Sequence, residues 1–194
     1  MKSFIICLAV VFTFTSFMSM GQKRDTFTDI RDGQVYSTVK IGQAVWMAQN
    51  LNYYVRGSWC YNDNDEMCKK FGRLYTWQGA MNGRDTEKSQ GICPEGWHVP
   101  SFDEWQALSD EYKKSKDLLE GGSSGLNLTL GGGRFPDGKY DFIDKVATFW
   151  TSTIDSSNTQ FVYTFYAYQD QKNKPLYSYS TSKTYGQYIR CVKD

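Results

Sequence analysis

Residues 93–105 read CPEGWHVPSFDEW, and the choice between a catalytic and a structural reading of this stretch decides the fold. It holds a cysteine, two tryptophans, two prolines and the only histidine of the chain. Ser101 and Glu104 stand directly after Pro100 as an S-x-x-E capping box, the mark of a helix N-terminus. Trp105, Leu108 and Tyr112 then recur three and four apart on one face, opposite Asp103, Gln106 and Asp110. Lys113, Lys114 and Lys116 suit the end of that helix, where cations meet the partial negative charge of free carbonyls. Upstream, residues 96–99 read as a core strand, so Trp97 and Trp105 are expected to anchor the core on either side of Pro100. His98 lies inside that strand, and the chain has neither a GxSxG elbow nor a second histidine. A satisfied core histidine is the expectation, and no residue is assigned a catalytic role.

The opening residues, MKSFIICLAVVFTFTSFMSMGQ (1–22), carry one lysine, an apolar run over 4–14, and small residues at Ser19 and Gly21. That is the pattern of a secretory signal over residues 1–21, cut before Gln22. The apolar run is shorter than the ~20 residues that span a bilayer, so no membrane insertion is expected once the signal is removed. Cys7 sits within the apolar run, which leaves Cys60, Cys68, Cys93 and Cys191 in residues 22–194. An even cysteine count in an exported chain points to two disulfides, and four cysteines allow three pairings. The short, turn-rich segment between Cys60 and Cys68 favours a local pair, leaving Cys93–Cys191 to tie the middle of the chain to its end. A zinc site is the rival, but no CxxC is present and His98 has the wrong spacing.

Residues 22–194 suit one domain with a full core. Without Lys2 the 22 basic residues become 21, against 21 acidic ones. Such a balance offers no electrostatic reason to expect nucleic acid or an anionic membrane as partner. Residues 27–53 read as strands broken at Asp32-Gly33 and Ile41-Gly42, with Trp46 and Met47 filling core. A second, shorter helix is expected over 74–81. The glycine-rich stretch 121–138 lacks any phosphate-loop pattern and reads as a long irregular surface loop, a candidate binding surface. Asn127-Leu128-Thr129 is a glycosylation acceptor only in a eukaryotic secretory route. From Phe149 onward the chain is β-rich, with runs FWTST, FVYTFYAY and YIRCV between polar turns.

Two regions could carry ligand chemistry. Asp63, Asp65 and Glu66 place three carboxylates between Cys60 and Cys68, oxygen ligands of the kind calcium prefers. The loop lacks the glycine and terminal glutamate of an EF-hand, and a solvated hairpin tip is the plainer expectation. The second region, 161–188, holds Tyr163, Tyr166, Tyr168, Tyr177, Tyr179, Tyr185 and Tyr188, half of the 14 tyrosines, among Ser, Thr, Asn and Gln. Tyrosine combines a rigid apolar ring with a polar tip, and such rings stack on the C–H faces of sugars. Strand alternation sets a limit: Tyr163 must face opposite to Tyr166 and Tyr168. The first six of these tyrosines are the candidate ligand contacts.

Five blocks then occur in a recognisable order: DIRDGQVYSTVKIGQAVWMAQNLNY (29–53), CY–C–FGRLYTW (60–77), CPEGWHVPSFDEW (93–105), FWTST (149–153) and YIRCVKD (188–194). Together they resemble the Fibrobacter succinogenes major paralogous domain, a family of exported bacterial proteins frequent in Bacteroidetes and fibrobacters. Its members are similar to the C-type lectin-like fold and to the formylglycine-generating-enzyme branch, where "LPTEAEW" resembles VPSFDEW (99–105) and "FRCV" resembles IRCV (189–192). The resemblance implies one α+β domain of twisted antiparallel sheets, one or two helices and long loops, with first and last strands close together. It also supports the Cys93–Cys191 pair. The EPN, QPD and WND motifs of calcium-dependent lectins are absent, and no second late cysteine stands beside Cys191 to make a reactive pair. The expectation is a secreted, surface or periplasmic binding module without catalysis or a required cofactor. It would recognise a glycan or a surface protein; the alternative is a structural or adhesin component of the cell surface.

Overall fold

The computed structural model describes residues 24–194, and the expected export signal, residues 1–21, lies outside the described residues. The chain starts as an antiparallel meander of β1 (Arg24–Thr28), β2 (Val35–Ile41) and β3 (Ala44–Met47). Gly42 opens the two-residue turn between β2 and β3 with φ +57°, a conformation that costs glycine nothing. The short β4 (Ser58–Trp59) and β5 (Leu74–Tyr75) pair with each other around α1 (Asp65–Phe71), and α2 (Trp77–Met81) follows. Next come β6 (Trp97–His98) and α3 (Phe102–Glu111). The second half is β7 (Gly131–Arg134), β8 (Tyr140–Ile143), β9 (Val146–Ile154), β10 (Phe161–Tyr168), β11 (Tyr177–Ser182) and β12 (Val192–Lys193). The described residues are thus mostly β, with three α-helices, four antiparallel sheets and two disulfides.

The strand order of the largest sheet is β1-β2-β3-β12-β6. The last strand therefore enters between two early ones, with Val192 opposite both Trp46 and His98. Residues 186–192 leading into it have nearly no exposed surface and touch every sheet in turn. Gly186 exchanges backbone hydrogen bonds with Arg134 of β7, and Gln187 with Tyr75 of β5. The Tyr188 carbonyl accepts from Trp150 N in β9, Ile189 O from Leu51 N, and Cys191 O from Met47 N in β3. Cys191 is also bonded to Cys93, and Cys60 to Cys68, the two expected disulfides.

Arg190, in the middle of this segment, is fully buried. Its Nε donates to Asn50 Oδ1 at 2.6 Å, Nη1 to Met47 O and Leu126 O at 3.1 and 2.6 Å, and Nη2 to Asn127 O at 2.7 Å. Burial pulls its pKa down to about 9, and no carboxylate stands at ion-pair distance among the described residues. Four neutral oxygens hold the charge in place of a counter-ion.

The stretch 93–105 folds as its pattern requires. Ser101 Oγ accepts from Glu104 N at 3.2 Å and Glu104 Oε2 accepts from Ser101 N at 2.8 Å, so both halves of the capping box form. Trp105 is buried edge-on to Trp46 at 5.0 Å and stacked on Phe149 at 5.0 Å. Trp97 belongs to a second apolar cluster with Met47, Trp77, Val99, Trp150 and the Cys93–Cys191 bridge. Pro100 thus separates residues that fill two different cores.

Three local expectations are corrected. The Cys60–Cys68 segment is a 3-10 turn running into α1, rather than a hairpin tip: Asn64 Oδ1 caps the helix by accepting from Glu66 N at 3.0 Å. The helix over 74–81 begins only at Trp77, because Thr76 caps it and Leu74-Tyr75 pair as β5. The glycine-rich stretch is partly ordered sheet, since β7 pairs with β8. Its glycines serve close approach: a Cβ on Gly131 would lie 2.6 Å from Tyr188 Oη, and one on Gly132 would lie 2.3 Å from Asp141 O.

Arg190→Ala would leave four buried acceptors unpaired, at about 1–3 kcal/mol each. The expected loss of about 4 kcal/mol or more corresponds to a melting temperature lower by roughly 10 °C or more in a domain of this size. Arg190→Lys, with donors on one atom only, should recover a minor part in the same calorimetric comparison.

Candidate functional site: an aromatic cleft on the three-stranded sheet

Register sets which tyrosines meet. In the β11-β10-β9 sheet Tyr166 lies opposite Tyr177 and Thr164 opposite Tyr179, so one face carries Thr164, Tyr166 and Tyr168 from β10 with Tyr177, Tyr179 and Thr181 from β11. Four rings on that face alternate in contact type. Tyr166 stacks near Tyr168 at 6.2 Å and Tyr177 near Tyr179 at 6.4 Å. Tyr166 meets Tyr179 edge-on at 5.3 Å, and Tyr168 meets Tyr177 edge-on at 5.5 Å. Each edge contact sets a positive ring rim on a negative ring face, so the rings hold one another in place.

This face forms one wall of a cleft of about 540 Å³, within the ~300–1,000 Å³ typical of small-ligand sites. The opposite wall holds Tyr185, packed on Phe135 at 5.4 Å, and Phe142, which is 43% exposed and held at φ +67°. At the base, Gly133 contributes no side chain and Thr148 Oγ1 donates to Gly132 O at 3.0 Å. Gln187 Nε2 donates to Tyr166 Oη at 3.0 Å, and that hydroxyl lies 3.1 Å from Thr181 Oγ1. Burial first, then the neighbouring Tyr179 hydroxyl, pushes the Tyr168 phenol well above its usual range, so it stays neutral.

Of the six candidate tyrosines, Tyr166, Tyr168, Tyr179 and Tyr185 line the cleft. Tyr177 completes the ring array beside it, its hydroxyl bonded to Gln171. Tyr163 does not join them: it faces the other side and packs on Phe102 of α3 at 5.0 Å. Phe142 escaped sequence reasoning. Gly133 and Phe135 lay within the glycine-rich stretch 121–138 and Gln187 within the tyrosine-rich stretch 161–188, both named as candidate surfaces, but none of the three was singled out.

The acidic cluster does not converge. Asp63 accepts from Tyr140 Oη at 2.6 Å, Asp65 lies 3.6 Å from Cys60 Sγ, and Glu66 pairs with Lys69 at 2.6 Å. Among the described residues no three His, Cys, Asp or Glu side chains are placed to hold a metal. The local fold is the reason: Asn64 caps α1, so Asp65 and Glu66 lie in its first turn, exposed, while Asp63 belongs to the preceding 3-10 turn and bonds Tyr140.

His98 is buried, as expected for a core strand, but between two carboxylates: Nδ1 lies 2.6 Å from Asp194 Oδ1 and Nε2 3.0 Å from Glu104 Oε1. Both ring nitrogens are thereby occupied. Burial alone would lower the imidazole pKa, but the bonds to Glu104 and Asp194 outweigh it and raise the value. Glu104 is also desolvated, yet His98, the Ser101 N–H and Lys88 hold it down to about 2.

The model of the family described as the Fibrobacter succinogenes major domain matches residues 39–193. The chain belongs to that family. No curated protein and no solved structure matches it. The Fibrobacter succinogenes major domain here runs from within β2 through β12, so it contains every residue that lines the aromatic cleft as well as both disulfides.

Two outcomes follow from this geometry. Tyr163→Ala should cost about 2 kcal/mol by emptying the contact with α3, whereas Tyr179→Ala, at a residue 47% exposed, should cost less than about 1 kcal/mol in denaturant titration. The His98 cluster should impose a pH optimum. A raised His98 pKa contributes stability that is complete below the unfolded value of about 6.5 and is lost as pH rises through the folded value. The lowered Glu104 pKa contributes stability present above about pH 4.3 and lost as pH falls towards 2. The melting-temperature gap between wild type and His98→Gln is therefore expected to be widest between the unfolded Glu and His values of about 4.3 and 6.5 and to narrow as pH rises through the raised His98 value.

Proposed function

We propose that this chain is an exported, lectin-like binding module without catalytic activity, and that the aromatic cleft between β11 and the β7-β8 hairpin is where it takes a glycan. The observation that carries this reading is the four-tyrosine array, of which Tyr166, Tyr168 and Tyr179 line one wall of a 540 Å³ cleft. Rings that hold each other in place offer rigid apolar faces, and their hydroxyls, with Thr181 and Gln187, give short-range polar contacts suited to sugar hydroxyls. Affinity would come from stacking and neutral hydrogen bonds, with no bond made or broken. The occupied nitrogens of His98 support the non-catalytic part of the reading. Two disulfides, and the absence among the described residues of any helix long and apolar enough to cross a membrane, support export to a secreted, surface or periplasmic location.

A second reading, recognition of a surface protein or a structural role at the cell surface, draws on β11. It is an edge strand of its sheet, with residues 178–180 exposed, and an edge can accept another strand. A glycan array probed with the chain lacking residues 1–21 separates the two. Binding that falls at least about tenfold in Tyr179→Ala supports the sugar reading, as expected for a lost stacking face. A flat array together with one stoichiometric protein captured from an outer-membrane extract would favour the edge-strand reading.

A further inference from the structure

The base of the cleft contains a polar atom whose bonding is unfinished. Gln187 is 2% exposed and its Nε2 is committed to Tyr166 Oη, while its Oε1 is buried without a hydrogen-bond partner. Buried acceptors are almost always satisfied, so an orphan at the base of a cleft marks either a fault in packing or a place kept for a donor. Packing gives no reason for a glutamine here. Its one side-chain bond is to Tyr166, and methionine of similar length would fill comparable space without an unpaired atom.

We infer that Gln187 is the specificity-determining acceptor of the cleft and that the ligand is a neutral pyranose sugar that presents a hydroxyl donor to Oε1. This rests on the glycan reading of the same site. The class follows from the lining. Tyr179 on one wall and Tyr185 on the other supply apolar faces for a ring, and the polar groups between them are hydroxyls and one amide. Arg134 is the one cleft-lining residue that carries a charge at neutral pH, and its guanidinium lies 4.0 Å over Trp59, a residue outside the lining. That one cation is stacked on Trp59, with its Nε buried and unpartnered, and the rest of the lining is neutral, so the cleft favours a neutral sugar over a uronic or sulfated one, whose desolvated anion needs a paired cation. A site that is built to accept a hydrogen bond rejects the ligand lacking the donor, because its own buried atom then stays unpaired.

The test uses an array of neutral and acidic oligosaccharides, followed by titration with the monodeoxy series of the strongest neutral binder. Wild type is expected to prefer neutral glycans and to lose about tenfold in affinity for one deoxy position, the size of a single neutral hydrogen bond. Gln187→Met should lose a similar factor for the parent sugar and become indifferent to that deoxy position, while melting close to the wild-type temperature, because loss of the unpaired buried atom offsets loss of the bond to Tyr166 Oη. Should Gln187→Met fail to fold, the deoxy series on wild type still decides, since equal affinity across it overturns the assignment. Binding that depends on Tyr179 but not on Gln187, or a preference for acidic sugars, would overturn this inference and leave the glycan reading standing. No binding to any glycan would overturn both.

Discussion

A guanidinium with no carboxylate partner among the described residues is the fixed point of this structure. Arg190 sits fully buried and divides its donors among Asn50, Met47, Leu126 and Asn127, groups from β3, the segment after it, and the loop before β7. Because no single partner neutralises it, the charge is tolerable only while all of those segments stay in place. The same run of chain bonds to β7, β5, β9 and β3 in succession before entering the largest sheet as β12. The four sheets are small, two of them only two-stranded, and none of these pairs could persist alone. They are held by one shared segment. Cys93–Cys191 then fixes that segment covalently to the turn before β6, closing a loop over 98 positions.

Electrostatic arrangement at the helix start follows from the same packing. Glu104 is both the reciprocal half of the α3 capping box and a partner of His98, using Oε2 for Ser101 and Oε1 for the imidazole. Asp194 approaches the other ring nitrogen because β12 pairs with β6, which brings residue 194 beside Gly96. The histidine thus joins a helix N-terminus to the last strand, a connecting role in a position where a lone histidine invites a catalytic interpretation. Its charge is stabilised by structure that the fold needs for other reasons.

The cleft gathers several unfinished features in one place. In the core, Trp77 Nε1 is paired with Thr151 O and Trp150 Nε1 with Tyr75 O, while Asn52 Oδ1, Trp105 Nε1 and Ser115 Oγ are single buried atoms without a partner. At the cleft, Gln187 keeps a bare carbonyl, Phe142 stands exposed in a left-handed backbone, and Tyr179 is the most exposed ring of the array. Departures of this kind cost stability and persist where surrounding structure enforces them. Here the enforcing structure is β9, β10 and the buried 186–188 segment, which set the base of the cleft before any ligand arrives.

Much of the framework is local and was therefore legible in the residues. The Ser101–Glu104 box, the turns at Asp32-Gly33 and Gly42, and the Phe149 and Phe161 strand runs each depend on neighbours within a few positions, where sequence carries the full signal. Alternation alone already set Tyr163 apart from Tyr166 and Tyr168. One failure came from a contact distant in sequence: Gly131 looks like a flexible loop residue until Tyr188 needs the space of its missing side chain. Another was local, since the acids near Cys60, expected at a hairpin tip, stand instead where Asn64 caps α1. The sequence by itself determined the elements, their caps and the supply of tyrosines. Only the tertiary structure decided which tyrosines share a wall and that Gln187 lies beneath them, because cross-strand register and the path of residues 186–193 join positions that no local pattern connects.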